Sequence, residues 1–290
     1  MKSWTVIPAM GVVSAATALV VVREPLSVDA CALAVSAGLA GAALAAAVRS
    51  LAGESPAVLV AAVLAPLLAI VSFALHRLVH VSPLLAVAAI AWTIVELRRT
   101  TTSPLVAMLP ATIAAVLDPA AVTLVMLAGT RLVTAPWNRP KWAIAIPIAG
   151  GLAVILALIA GSAHDGAFAK LGTHWFGPAH QIGAPALARL LGDALGPLTA
   201  VAALAGLALI AKLRLAEIAV ATCAIGAVLV DLRAGTVGGA TFGIAGLCAA
   251  LAIGRFAATI RMPSLQPIAG ITVAMMLLVP PAWTVVEHLR

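Results

Sequence analysis

Thr101–Trp137 reads TTSPLVAMLPATIAAVLDPAAVTLVMLAGTRLVTAPW. It is an apolar run broken near its middle by Asp118-Pro119. Whether the chain crosses a membrane once or twice here sets the sidedness of everything after it. Two short crossings fit locally. Thr101–Leu117 gives about 17 residues and Pro119–Trp137 about 19, with Arg131 free to reach the interface. Asp118 then caps the second helix, and Pro119 takes the first helical position, where a missing N–H costs nothing.

The rest of the chain says that a bilayer is the solvent. Of 290 residues, 63% are hydrophobic and only 9% charged. A soluble domain carries roughly a quarter charged residues. Spanning structures must satisfy their backbone internally, which leaves helices or a closed barrel. A barrel needs alternation in runs of about ten residues. The runs here are continuous and rich in Ala, Leu and Val, so the fold class is all-α: a polytopic integral membrane helix bundle. It forms one transmembrane domain over 1–290, with the lipid bilayer as its first partner.

Spans are expected at Trp4–Val22, Ala30–Val48, Ala57–Leu75 and Val81–Val95. After the broken stretch they continue at Trp142–Ala163, Gly196–Ala211, Leu215–Val230, Gly238–Gly254 and Gln266–Val286. Each is near the roughly 20 residues a bilayer requires, several of them short. The first follows Lys2 but is about 19 residues long, and Arg23-Glu24 follows it instead of a small-residue cleavage site, so it is read as an uncleaved span.

Charge decides between the two readings of 101–137. With one crossing, ten in all, Lys and Arg divide eight against nine, which is no bias. With two, about eleven in all, Lys2, Arg49, Arg98, Arg99, Arg131, Arg139, Lys141, Lys212, Arg214, Arg255 and Arg261 share one side. That is eleven against six, the excess that cytoplasmic loops carry. The expected topology is therefore a plasma (inner) membrane protein with its N-terminus cytoplasmic and its C-terminus extracytoplasmic. A re-entrant pair at 101–137 gives the same sidedness. All six histidines then fall on the outer side, together with Glu24, Asp29, Asp118, Asp165, Asp193, Asp231 and Glu287.

The candidate substrate-binding residues are Asp118, Glu24, Asp29, His164 and Asp165. An acid inside an apolar stretch is a site by default if it lies at the midplane, because a charge there is costly. The bland reading is a capped turn at the outer interface. Segment 164–195 is long enough for a lid or binding loop. Its second half places Leu187, Leu190, Leu191 and Leu195 opposite Arg189 and Asp193, as in a short amphipathic helix lying in the extracytoplasmic interface. His76 and His80, at i and i+4, share a helix face and are weak metal candidates, with no third ligand fixed by spacing. The bland reading is two interfacial histidines.

Other chemistry is excluded or unsupported. The charge of +7 is spread singly and in pairs, with no cluster dense enough to track phosphates, so nucleic acid is not expected. Cys31, Cys223 and Cys248 form no C-x-x-C and read as packing residues. No cofactor motif, Walker A loop or nucleophile elbow occurs. Gly239-x-x-x-Gly243 permits close helix contact.

Three functions remain. A small-solute or ion transporter is supported by the many spans and the broken region. An enzyme at the outer face acting on a lipid-linked substrate, glycosyltransferase-like, would use Glu24 and Asp29, but their link is only seven residues. A structural subunit would show small-residue faces for a membrane-protein partner or a second copy.

Overall fold

The computed structural model describes residues 5–22, 27–53, 55–75, 80–99, 104–134, 182–209 and 214–289. Among these residues the structure is 90% helical, with no strand. The helices are α1 (Val6–Val22), α2 (Val28–Ala52), α3 (Pro56–Leu75), α4 (Val81–Arg98), α5 (Pro104–Leu117), α6 (Val122–Thr134), α7 (Ala184–Leu195), α8 (Pro197–Ala208), α9 (Leu215–Ala234), α10 (Gly239–Ala258) and α11 (Gln266–Leu289). Six of them, α2, α3, α4, α9, α10 and α11, are long and apolar enough to cross a membrane. The expected span Trp142–Ala163 lies outside the described residues.

Helix α10 is the axis of the bundle. Its apolar window is 89% buried, whereas that of α11 is 17% buried. A helix apolar all round belongs in a core, but in lipid the force holding it there is close packing. Small residues make that packing possible. A Cβ at Gly243 would come within 2.7 Å of the Val87 side chain on α4, and one at Gly254 within 3.0 Å of Ala61 on α3. The expected close contact at Gly239 and Gly243 is present: these glycines face Pro83 and Val87 of α4. Helix α8 lies still closer, with Gly206 against the Cys248 carbonyl.

The broken stretch folds as a helical hairpin. Helix α5 ends at Leu117, a 3-10 turn over Pro119–Ala121 follows, and α6 runs back. The Arg131 guanidinium near the end of α6 donates to the carbonyls of Glu96 and Arg99, just ahead of α5. The chain therefore reverses within 104–134. Its limbs are short: 14 residues in α5 and 13 in α6, about 20 Å each at 1.5 Å per residue, against a hydrocarbon core of about 30 Å.

A second break falls at Gly196, where the expected interfacial helix gives way to the expected crossing, but that crossing is shorter than expected. The run expected as a crossing over Gly196–Ala211 contains α8, only 12 residues long, or about 18 Å. Helix α7 joins it at 108°. Gly196, at φ +76°, and Pro197 at the first position of α8 cause the corner. The left-handed backbone suits glycine, and the proline ring is pre-set for a new helix. Helix α7 is present where the amphipathic pattern puts it, with Leu187 buried and Arg189 and Asp193 exposed.

Candidate functional site

Helix directions sort the charges into two ends. Gly239 at the start of α10 meets Pro83 at the start of α4, and Gly254 near its end meets Ala57 and Ala61 at the start of α3. One end of the bundle therefore gathers the ends of α2, α4, α6 and α10 and the start of α9. It carries Arg49, Arg98, Arg99, Arg131, Arg214 and Arg255, with Glu96 and Glu217. The opposite end carries Asp118, Asp193, Asp231 and Glu287, with Arg189 and Arg233.

At the acidic end, the hairpin tip docks on α9 and reaches the first turn of α10. Ala120 and Ala121 are buried. The Cys223 thiol of α9 donates to the Ala120 carbonyl at 3.7 Å, and Gly226 leaves room for that same carbonyl. Asp118 is the cap that its proline neighbour implies: its Oδ1 accepts from the Ala120 N–H at 2.9 Å. The Ala240 N–H in the first turn of α10 also faces it.

Asp231 is close enough to Asp118 to interact electrostatically. It is 1% exposed, and its partners belong to the next helix. Oδ1 accepts from the Gly238 N–H at 2.9 Å, and Oδ2 from the Thr241 hydroxyl at 2.5 Å. The chain reaches those partners because Gly235 closes α9 in the left-handed region, φ +69°. Two carboxylates thus converge on the N-terminus of α10, where free N–H groups and the helix dipole favour negative charge. Neither is in an ion pair among the described residues.

At the arginine end, Arg98 Nη1 pairs with Glu217 Oε1 at 3.1 Å, tying α4 to α9. Arg99 Nη1 pairs with Glu96 Oε1 at 2.8 Å. Glu96 and Glu217 are 1% and 4% exposed. Each keeps its second carboxylate oxygen without a hydrogen-bond partner among the described residues.

Of the sequence candidates among the described residues, Asp118 enters such an arrangement and Asp29 does not. Asp29 is exposed in the first turn of α2 and takes no part in the hydrogen bonds around Asp118. Glu24, His164 and Asp165 lie outside the described residues, as does His76; its expected partner His80 is exposed at the start of α4. No group of three or more His, Cys, Asp or Glu able to hold a metal occurs among the described residues. Cys223 and Cys248 are buried and Cys31 exposed, all unpaired. Sequence reasoning does not single out Asp231 or the Glu96–Glu217 network. Its only signal for them is a lone charge at the end of an apolar run.

Taken together, the apolar helices fit a polytopic membrane protein with two broken segments. Comparison with known proteins adds nothing to that class: no protein family, no curated protein and no solved structure matches the chain.

Proposed function

We propose that this chain is a membrane transporter for a small solute or ion. The arginine end and the N-terminus are cytoplasmic, the C-terminus is extracytoplasmic, and the hairpin 104–134 is the element that moves. The observation that carries the reading is the hairpin itself. Two limbs too short to span a bilayer meet at an acid-capped tip that packs on α9 and touches the start of α10. Broken helices are tolerated in a membrane only where protein or a water-filled cavity satisfies their backbone. Transporters build their sites from such helices and open them by rocking one unit against another. A re-entrant hairpin keeps the sidedness that the charge pattern supports.

One observation favours the structural-subunit reading instead. Asp118 and Asp231 both have their hydrogen bonds met within the fold, so they also serve as pins. One substitution separates the two readings. Ala120→Cys, in a background lacking the native cysteines, places a thiol under the tip. A transporter must release the tip, so an impermeant thiol reagent labels this variant within minutes in its folded state. Proteoliposomes of the wild-type chain also carry a proton, sodium or potassium flux under an imposed potential. A folded protein that shows neither labelling nor flux belongs to the structural reading.

A further inference from the structure

Helices α8 and α9 both pack on α10 but leave a cavity of about 270 Å³ between them. Helix α7 forms its end wall, presenting Leu191 and Leu195; Ala203 and Leu207 of α8 and Ala227 of α9 form the sides. Its floor runs along α10 from Thr241 to Cys248, about 10 Å at 1.5 Å per residue. It therefore descends from the acidic end to the middle of the most buried helix.

The wall chemistry excludes most ligands. The Thr241 hydroxyl is its one side-chain hydroxyl, and it is already spent on Asp231 at 2.5 Å. An ion or a sugar would leave its hydration shell and meet little beyond the Thr241 lone pairs and the weakly polar Cys248 thiol, at a cost of several kcal/mol. Water fares no better, since apolar cavities of this kind stay dry. The volume is just below the roughly 300–1,000 Å³ of pockets for drug-sized molecules, which suits one slender chain rather than a ring system. The lips of the opening are apolar and exposed, with Leu204 on α8 and Val228 on α9. The cavity is thus continuous with the surface the bundle offers to lipid. At its closed end, α7 turns Arg189 and Asp193 outward, at the level where an amphipathic helix meets headgroups.

We infer that this cavity holds one acyl chain of a bilayer phospholipid, entering sideways between α8 and α9. The inference rests on the membrane placement of the bundle and not on transport. Purified protein is delipidated in maltoside detergent, re-equilibrated with palmitoyl-oleoyl phosphatidylglycerol and examined by native mass spectrometry after further detergent exchange. Lipids that merely surround the bundle are lost, while a lipid held by its chain in the cavity stays at one per protein. Ala203→Trp and Ala227→Trp fill the cavity from opposite walls and lower that retained lipid at least tenfold. Met275→Trp, on the exposed face of α11, leaves it unchanged. Thermal unfolding shows which variants are folded, and the wild-type ratio alone suffices if neither filler folds. No retained lipid on the wild type, or equal retention in a folded filler, overturns the assignment. Ion flux measured on the same preparations fails or succeeds independently, so the two proposals are separable.

Discussion

At the scale of single residues, the two aspartates of the acidic end differ in how visible they are in the sequence. Asp118 is legible because its role is local: an acid followed by proline inside an apolar run is a helix-cap signature, and the Ala120 N–H lies 2.9 Å away as that signature requires. Asp118→Asn keeps an acceptor at the cap and is expected to unfold at nearly the wild-type temperature. Asp118→Ala is expected to lose about 0.5–2 kcal/mol, the usual loss of a cap. If the transport reading holds, Asn also abolishes ion flux while folding normally, because an amide cannot ionise. Asp231 is not legible, since its partners Gly238 and Thr241 come to it only when the turn closes. Asp231→Ala strands a backbone N–H and a hydroxyl, and thermal unfolding in detergent should show a loss of about 1–3 kcal/mol. Asp231→Asn should lose less, because the amide oxygen still accepts one bond and the Thr241 hydroxyl can rotate to accept from the amide nitrogen.

At the scale of elements, the sequence places the long helices and the amphipathic α7 but not the two breaks in full. Hydropathy measures how apolar a run is and carries no record of its direction. The reversal at Asp118 is reached through the charge count and the Asp118-Pro119 cap, and the shortening at α8 has no such clue. What holds the hairpin is close approach, and glycine substitutions test it with opposite signs. A Cβ at Gly226 would sit 2.6 Å from the Ala120 carbonyl oxygen, a backbone atom that cannot swing away. Gly226→Ala should therefore destabilise by about 1–3 kcal/mol, the typical cost of overpacking, and combined with Ala120→Cys it should raise thiol labelling at the tip. At Gly192 of α7 an added Cβ meets nothing within 4 Å. There Gly192→Ala should be neutral or stabilising by up to about 1 kcal/mol, the helix-interior preference for alanine. The Arg98–Glu217 pair is the other clasp between elements. Glu217 is 4% exposed, so Arg98→Ala leaves a buried carboxylate without its cation, at a cost of about 3 kcal/mol. A charge-reversed pair, Arg98→Glu with Glu217→Arg, should recover part of that loss; no recovery would mean that the two side chains do not act on each other.

At the scale of the whole molecule, the segregation of charge connects the sequence to the fold. The sequence count assigns Arg49, Arg98, Arg99, Arg131, Arg214 and Arg255 to one side from loop alternation alone. The helix directions gather the same residues at one end of the bundle, through independent contacts such as Gly239 with Pro83 and Arg98 with Glu217. If the positive-inside rule orients this bundle, the arginine end faces the cytoplasm and the Asp118–Asp231 end faces out. Two exposed positions read this directly: Thr236, in the α9–α10 turn beside Asp231, and Ser264, in the connection between α10 and α11. Only one helix, α10, separates them, so they must lie on opposite sides if α10 crosses the membrane. In a background lacking the three native cysteines, Thr236→Cys should react with an impermeant maleimide added to intact cells. Ser264→Cys should react only after permeabilisation. The reverse pattern would keep the bundle and invert it, placing the acid pair and the α7 wall of the apolar cavity on the cytoplasmic side. Labelling of both positions from outside would mean that α10 does not cross, and the reading of the chain as a bundle threaded through the bilayer would fall with it.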